Sequence, residues 1–317
     1  MNKRLLRLLT LCLCSLSGYA QDQEAITGYY RSPGPSILLV DRDHHFYIIA
    51  YATFIHGRWT VEGNRVKLIP KNPEHPFELY GRYNPNIREG YRIKFYGFEK
   101  NQTFIGKAGS DTMQRVFNLD PNCFDDSYVH QFPGATAFSF ADSLRTDEPG
   151  QRKTYTFQPR KHNDFIAVYR DPEKSTKEMI FDIGGGTENP FSDGAYVSLE
   201  KAEQDEKLKQ EVMELRELGR KNRNEENVFF CNPSYRSFDT TAVSFQQNYT
   251  FNKAKNAYVS KHNYEKDEEI HPEKKNNAYH SIGILFKYEK IAPAGIVATP
   301  FKIQEKSLFT AKCGGEE

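Results

Sequence analysis

The pattern of apolar and polar residues predicts short β-strands along most of the chain. Between residues 26 and 117, short runs that alternate in polarity or are wholly apolar recur at regular spacing, separated by Gly, Pro, Asp and Asn. Such spacing is typical of an antiparallel sandwich or barrel. The clearest hairpin joins residues 58–61 to 65–69 through residues 62–64, where Gly or Asn supplies the positive φ of a tight turn.

The same pattern predicts strands in the rest of the chain. Its 23 Phe and 19 Tyr favour this reading, because aromatic residues prefer the half-buried surface of a sheet. The further predicted strands are residues 36–40, 46–51, 77–80, 91–96, 103–106, 115–118, 137–140, 154–157, 165–169, 178–183, 195–199, 242–251, 257–261, 279–288 and 295–303.

One segment predicts a helix, residues 200–220. Its apolar residues fall at spacings of four, three and three, which gives a single apolar stripe: Leu208, Val212, Leu215 and Leu218. We therefore expect a mainly β fold of antiparallel barrel or sandwich domains, with one amphipathic helix near residues 200–220. Residues 120–134 lack a regular pattern, so we expect one domain at 21–131 and a second, β-rich domain carrying the helix at 132–317.

The first twenty residues predict a secretory signal peptide. A basic start (residues 3–7) precedes an apolar run at residues 8–16, and small residues occupy the positions that a signal peptidase inspects, so cleavage is expected between Ala20 and Gln21. The apolar run is too short to span a membrane, and no later run is longer. We expect an exported protein of the periplasm, cell surface or extracellular space, without a transmembrane span.

Lipid attachment at Cys12 or Cys14 is an alternative, although each follows a leucine where a lipoprotein signal has a small residue. Removal of the signal changes the formal net charge from +1 to −2, because the removed segment holds three positive charges and no negative ones. A near-neutral chain with charges of both signs spread along it gives no electrostatic footprint for nucleic acid.

Three cysteines remain after processing: Cys123, Cys231 and Cys313. In an oxidising compartment this odd number allows one disulfide and one unpaired thiol, in any of three pairings. The polar tail around Cys313 favours it as the unpaired one, which leaves a disulfide between Cys123 and Cys231. The spacing excludes a CxxC redox motif and a compact zinc cluster.

The N-terminal third of the mature chain resembles lipocalin-like, or calycin-type, envelope proteins of Gram-negative bacteria. The residues that carry the resemblance are Gly28-Tyr-Tyr30, the turn at 41–46, Gly57-Arg-Trp59, Gly63-Asn64 and Val66-Lys-Leu68. The resemblance implies a small antiparallel barrel whose mouth holds an apolar or amphipathic ligand. The chain departs from lipocalins in placing Gly-x-Trp about three strands into the domain, and a second lipocalin motif is not seen.

The densest group of potential metal ligands is Asp41, Asp43, His44 and His45, with His56 close enough in sequence to approach from the next strand. A tight turn splays successive side chains apart, and Asp is a common turn residue. We therefore expect a polar turn here and no metal.

Residues 182–187 resemble the phosphate loop of the actin and Hsp70 ATPases, but a second phosphate loop and an adenosine site are missing. We expect a flexible turn and no cofactor. Serine-nucleophile elbows and HExxH or HxE…CxxC patterns are also absent from the sequence. The triplets at 111–113, 142–144 and 239–241 match the Asp-Ser/Thr-apolar acceptor of some bacterial O-glycosylation systems, which marks Thr112, Ser143 and Thr240 as candidate acceptors.

Three functions are consistent with these features. The leading expectation is a non-catalytic exported envelope protein that binds a small amphipathic ligand or another envelope protein. A secreted hydrolase would instead show a pocket of converging titratable side chains in the second domain. A structural or partner-binding surface protein would show an exposed apolar patch and lack a deep pocket.

Overall fold

The computed structural model describes residues 26–31, 36–50, 53–100, 102–122, 128–134, 137–145, 152–172, 175–183, 191–192, 200–201, 210, 213, 227–237, 240, 243–261 and 283–312. This part of the chain is mainly β and includes a curled half-barrel sheet, which confirms the fold class. Besides the strands it contains a 3₁₀ helix, Phe98–Lys100, and a short α-helix, α1, Val243–Asn248. Within these residues, none of the helices has the length and apolar character needed to cross a membrane.

The strands are numbered in chain order. They are β1 (Gly28–Arg31), β2 (Ile37–Val40), β3 (His45–Ala50), β4 (Thr53–Glu62), β5 (Arg65–Pro70), β6 (Phe77–Arg82), β7 (Tyr91–Tyr96), β8 (Thr103–Lys107), β9 (Thr112–Arg115), β10 (Val129–Phe132), β11 (Phe138–Arg145), β12 (Arg152–Phe157), β13 (Asp164–Tyr169), β14 (Met179–Ile183), β15 (Phe191–Ser192), β16 (Glu200–Lys201), β17 (Val228–Cys231), β18 (Tyr249–Asn252), β19 (Ala257–Ser260), β20 (Ile284–Ile291), β21 (Gly295–Thr299) and β22 (Lys302–Gln304).

The chain folds into two compact units, and each is built from two separate chain segments. The first unit contains the described parts of Met1–Asn72 and Ser175–Arg223, and the second those of Pro73–Lys174 and Asn224–Glu317. The division therefore differs from the single boundary expected between residues 131 and 132. The reason is long-range strand pairing: β14 joins β5 in the first unit, and β20 joins β6 in the second.

The first unit contains one antiparallel sheet in the order β15-β14-β5-β4-β3-β2-β1-β16. The predicted hairpin is present: β4 and β5 pair from Glu62 and Arg65 outwards, with Gly63 at a φ of 62° in the turn. Along β5, Val66 and Leu68 are buried and contribute to the core of this sheet. A second, smaller buried cluster of the sheet is formed by Tyr29, Leu39 and Tyr47. The main buried cluster consists of Ile26, Tyr30, Leu38, Val40, Phe46, Trp59, Val66 and Leu68.

The second unit is a β-sandwich. One sheet runs β10-β7-β13-β6-β20-β19-β18, with β17 also paired to β20, and the other runs β21-β12-β11-β8-β9-β22. Phe165 and Ala167 of the first sheet share an aromatic core with Phe138, Phe140 and Tyr155 of the second. This is the arrangement expected when two sheets bury their inner faces against each other.

The opposite face of β13 is also covered. Successive side chains of a strand point to opposite faces, so Ile166 and Val168 point away from the aromatic core. They pack in a second cluster that includes Cys231, Tyr235 and Tyr288. This outer cluster surrounds the polar groups described below.

Several predicted elements differ in the structure. In the predicted strand at 242–251, Val243–Asn248 form helix α1, and the ring of Phe245 in this helix stacks on that of Tyr249 in β18 with the centroids 4.2 Å apart. A helix this short has too few turns to show its period in the sequence. Strand β10 lies in the segment for which a regular element was not expected, where it pairs with β7.

Other predictions fall mostly on residues outside the described ranges. Of the predicted helix at 200–220, Glu200 and Lys201 form strand β16, Gln210 and Met213 are helical, and the rest lies outside the described residues. The predicted strand at 195–199 lies outside them as well. The strand expected at 115–118 overlaps β9 only at Arg115, where β9 ends. Of the residues that follow, Phe117 forms an isolated bridge with Phe309 and is not part of a strand.

Candidate functional site

A concave pocket with a volume of about 650 Å³ lies in the second unit, at the end of strands β6 and β20. Segments that are distant in sequence converge on it, so the fold and not a local motif creates the pocket. Its walls are Gly81, Arg82, Tyr83, Asn84, Pro85, Asn86, Arg92, Lys161, His162, Pro233, Tyr235, Lys255, Asn256, Phe286, Lys287 and Glu289.

A row of charged residues crosses three neighbouring strands at the base of this pocket. Asp164 opens β13 and lies opposite Arg82 in β6 and opposite Arg92 in β7. Paired residues of neighbouring strands point to the same face of a sheet, so the three side chains share the outer face. Asp164 is only 1% exposed, which places a carboxylate between two cations in a nearly dry environment.

Both oxygens of the Asp164 carboxylate accept hydrogen bonds. Tyr235 OH donates to Oδ1 at 2.6 Å, and Oδ2 accepts from Arg82 Nη2 at 2.8 Å, Asn84 Nδ2 at 2.9 Å and Tyr288 OH at 3.1 Å. A buried carboxylate is tolerated when it is paired and hydrogen-bonded in this way. Asp164 therefore acts as a fixed anchor that positions the four donors around it.

The Arg82 side chain is held by this anchor and by two aromatic rings. Its guanidinium carbon lies 4.0 Å from the ring centroid of Phe286 and 5.2 Å from that of Tyr288, distances at which a cation is attracted to the ring face. Burial alone would lower the pKa of Arg82, but Tyr288 and Asp164 outweigh it and the pKa is raised. The guanidinium stays charged, and its buried Nε has no hydrogen-bond partner.

The hydroxyl and thiol groups beside Asp164 are kept protonated. Burial raises the pKa of Tyr235 and of Tyr288, and the charge of Asp164 raises both further. Tyr96 OH donates to the carbonyl of Tyr235, which holds the segment that covers this face. Burial also raises the pKa of the Cys231 thiol, and a buried, protonated thiol is a poor nucleophile.

His162 lines the pocket wall. Histidine is the side chain that gains or loses a proton near neutral pH. Its backbone N–H donates to Pro159 O at 2.9 Å, and the buried ring Nδ1 has no hydrogen-bond partner. Burial lowers the pKa of His162, and the positive charge of Lys161 lowers it further, while Glu289 acts in the opposite direction. The lowered pKa therefore favours the neutral ring.

The loop that follows β6 forms the rim of the pocket, and hydrogen bonds of two asparagine side chains hold it in place. Asn84 N–H donates to Asn163 Oδ1 at 2.7 Å, and Asn163 Nδ2 donates to the carbonyls of Asn84 and Ile87, each at 3.0 Å. Asn86 N–H donates to Asn84 Oδ1 at 3.0 Å. These bonds hold the loop against the start of β13, so Arg82 and the rim keep a defined geometry.

The candidate metal ligands at 41–45 lie in the turn between β2 and β3, where they make contacts that stabilise the turn. Asp41 O accepts from Trp59 Nε1 at 2.8 Å, His44 has a φ of 63°, and His45 Nδ1 lies 3.1 Å from Asp43 Oδ1. His56 lies in β4, its ring 5.6 Å from that of Phe54. Among the described residues, groups of three or more His, Cys, Asp or Glu able to hold a metal do not occur.

The three candidate glycosylation residues have different surroundings. Thr112 begins β9 and donates to the exposed Asp111 Oδ1 at 3.0 Å, whereas Ser143 lies within strand β11 and not in a loop. Thr240 is buried, with 8% of its surface exposed. Thr112 and Ser143 are both half-buried residues of strands, so Thr240 is the most enclosed of the three, and glycosylation at these positions stays a prediction.

The remaining predicted features are only partly visible. Cys231 is a buried free thiol in the structure, and Cys123, its expected partner, lies outside the described residues, so their disulfide stays a prediction. Ala20 and Gln21 of the cleavage site and the glycine-rich residues 184–186 also lie outside them.

Sequence reasoning did not identify the charged row at the base of the pocket. Its members come from three separate strands, and the tyrosines that bind Asp164 are farther still along the chain: Tyr235 is 71 residues from Asp164, and Tyr288 is 124 residues from it. The one local signal is Asp164 itself, a charged residue at the head of the apolar run Phe165–Tyr169, all of which is buried.

Comparison of the chain with protein families, with characterised proteins and with solved structures finds no match.

Proposed function

We propose that the protein is an exported, non-catalytic binding protein, and that the pocket of its second unit holds a small amphipathic ligand. The observation that carries the proposal is the convergence of ionisable and aromatic side chains from several distant segments on one pocket of about 650 Å³. Pockets for small molecules have about 300–1,000 Å³ and combine a few placed polar groups with apolar walls.

The apolar part of the wall supports an amphipathic ligand. Tyr83 is 65% exposed at the rim, and Phe286, Pro85 and Pro233 also line the pocket. These groups can cover an apolar portion of a ligand, while the charged groups contact a polar portion. The site therefore differs from the barrel mouth that the lipocalin-like resemblance implies, although it suits the same kind of ligand.

The chemistry of the site favours binding over hydrolysis. The carboxylate of Asp164 is occupied by four donors, the hydroxyls of Tyr235 and Tyr288 donate to it, and Cys231 is a protonated thiol. A general base needs a free lone pair within reach of the substrate, and these groups do not offer one.

One observation favours the second candidate function, a secreted hydrolase. The ring of His162 lines the pocket and its lowered pKa favours the neutral form, which is the form that a general base needs to accept a proton. Incubation of the wild type and His162→Ala with ester, phosphoester and glycoside chromogenic substrates distinguishes the two functions. Turnover that His162→Ala abolishes would support the hydrolase, whereas absence of turnover is the expected result.

Native mass spectrometry of the mature protein, secreted by a Gram-negative host, tests the binding function. Asn86→Trp places a large side chain at the exposed rim of the pocket, and Lys306→Trp is the matched control on an exposed loop of the same unit. We expect a co-purifying small molecule on the wild type and on Lys306→Trp, and its loss from Asn86→Trp. Ligand-free wild-type protein, or equal loading of Asn86→Trp, would contradict the proposal.

The same preparation tests export. We expect the secreted protein to begin at Gln21, and the mass of the intact chain to contain no lipid. A chain that keeps Met1, or one that begins at Cys12 or Cys14 with an attached lipid, would contradict this part of the proposal.

A further inference from the structure

We infer that the edge strand β21 is an interaction surface, and that its partner is β21 of a second copy of this chain, paired antiparallel about a twofold axis at Val297. The surface belongs to the second unit but is separate from the pocket, because the residues of β21 are not among those that line it. The inference therefore stands independently of the proposed function.

The first step of the argument is the open backbone edge of β21. The strand is the outermost of its sheet, and within the described part of the chain β12 is the one strand that pairs with it. In an antiparallel ladder the N–H and C=O groups of alternate residues point to opposite sides. The outer side of β21 therefore presents donors and acceptors without a neighbouring strand to bind them, and such a row is a template for another strand.

The second step is that this edge is not protected against pairing. Edge strands usually avoid pairing through charged residues, prolines, bulges or short length. Residues 291–301 contain no charged residue, the prolines at 293 and 300 lie outside β21, and the register with β12 is continuous. The opposite edge strand of this sheet, β22, has three residues and carries Lys302, which is 81% exposed. Of the two edges, β21 is the one open to a partner.

The third step is the exposure of apolar side chains on both faces of β21. Ile296 pairs with Tyr155, a member of the aromatic core between the two sheets, so Ile296 points to the core side and Val297 to the outer side. Ile296 is 41% exposed and Val297 is 52% exposed. An added strand would cover part of both side chains and extend the sandwich core by one strand, and burial of apolar surface favours association.

The fourth step is that β21 is complementary to itself. Antiparallel pairing about Val297 places this residue opposite the partner's Val297, and Ile296 opposite the partner's Ala298. On the core side a large side chain then meets a small one, and the twofold axis repeats this contact. The strand has no charged residue that would lose its water. Such a self-complementary contact is the property of a twofold interface, which favours a second copy over a partner of another sequence.

The experiment is analytical ultracentrifugation of the full mature chain across about a hundredfold range of concentration, because a dimer fraction rises with concentration. Val297→Lys places a charge in the middle of the edge. Ile180→Lys is the matched control, since Ile180 is also 52% exposed on a strand, but that strand, β14, has a neighbour on each side. We expect the wild type and Ile180→Lys to dimerise equally, and Val297→Lys to dimerise about tenfold or more weakly.

A cross-link tests the register. Residues directly opposite each other in antiparallel strands have Cβ atoms about 4.5–5.5 Å apart, close to the spacing of a disulfide. Under mild oxidation Val297→Cys should form a disulfide between the two copies of position 297. Ile296→Cys is the control, because the two copies of position 296 are not opposite each other. Peptide mapping distinguishes this disulfide from those of the native Cys123, Cys231 and Cys313.

A wild-type chain that stays monomeric over the whole concentration range would overturn the inference. A dimer that Val297→Lys leaves intact would overturn it as well, because another surface would then form the contact. A complex with a different polypeptide that Val297→Lys disrupts would show that β21 pairs with another sequence, and equal cross-linking at 296 and 297 would exclude the twofold register. If Val297→Lys does not fold, the cross-link of Val297→Cys decides the question alone.

Discussion

The guanidinium of Arg82 and the carboxylate of Asp164 form a buried ion pair, with Nη2 2.8 Å from Oδ2 and side chains 12% and 1% exposed. The pair is a direct consequence of strand register, because the two residues lie opposite each other in β6 and β13. Removal of one partner from a buried pair leaves the other charge uncompensated, which is strongly destabilising. The stability of the second unit and the geometry of the pocket therefore depend on the same contact.

Asp164→Asn is expected to lower the free energy of unfolding of the second unit by about 3–5 kcal/mol, because Arg82 then stays buried without a counter-charge. Urea unfolding followed by tyrosine fluorescence measures the change. Lys302→Gln is the control, since Lys302 is 81% exposed and lies 3.5 Å from the exposed Asp111, and we expect it to unfold with the wild type. Equal effects of the two substitutions would contradict the role of the buried pair.

Tyr235→Phe and Tyr288→Phe each delete one hydrogen bond to the Asp164 carboxylate without changing the packing of the ring. Bonds to a charged group contribute about 1.5–3 kcal/mol, and we expect each substitution to lower the free energy of unfolding by that amount. Tyr235→Phe should cost more, because its bond is 2.6 Å long and that of Tyr288 is 3.1 Å. Urea unfolding of both variants checks the order, and a larger loss for Tyr288→Phe would reverse this ranking of the two bonds.

The pH dependence of folding follows from His162. Burial, together with Lys161 and Arg160, lowers its folded-state pKa below the ordinary value of 6.5, while Glu289 opposes the shift. The unfolded chain then binds the proton more readily, so the free energy of unfolding decreases as pH falls through 6.5 towards the folded-state pKa. His162→Gln should reduce this slope. The pH dependence that remains in this variant is assigned to groups such as His130, because burial lowers the pKa of His130 as well.

Gly57 in β4 tests the packing of the first unit. A Cβ at this position would lie 2.1 Å from Ile69 O and 2.7 Å from a ring carbon of Phe46. Gly57→Ala therefore forces backbone to move and is expected to lower the free energy of unfolding by about 2–3 kcal/mol. The control is Gly295→Ala, which meets nothing within 4 Å. Thermal unfolding by calorimetry distinguishes the two, and a Gly57→Ala melting temperature equal to that of the wild type would contradict this packing.

Local features of the fold were predictable from the sequence, whereas the pairing between distant strands was not. The hairpin of β4 and β5 follows from polarity alternation and the turn glycine Gly63, both of which are properties of neighbouring residues. The insertion of β13 between β6 and β7 leaves no such trace. The expected boundary at residues 131 and 132 differs from the observed units for this reason.

The candidate site could not be predicted from the sequence for the same reason, because it forms through pairing between distant strands. Arg82, Asp164 and Tyr288 carry no shared motif, and only the sheet brings them together. Conversely, the group of Asp and His residues at 41–45 was expected to form a polar turn, and it does so through hydrogen bonds between neighbouring residues. The lipocalin-like resemblance rests on short motifs of the first unit and stays a prediction.

The most direct test of the proposed binding function is native mass spectrometry of the mature wild-type protein and of Asn86→Trp, the variant with a large side chain at the exposed rim of the pocket. We predict a co-purifying small molecule on the wild type and its loss from Asn86→Trp. Ligand-free wild-type protein, or equal loading of the two proteins, would contradict the assignment of this pocket as the binding site.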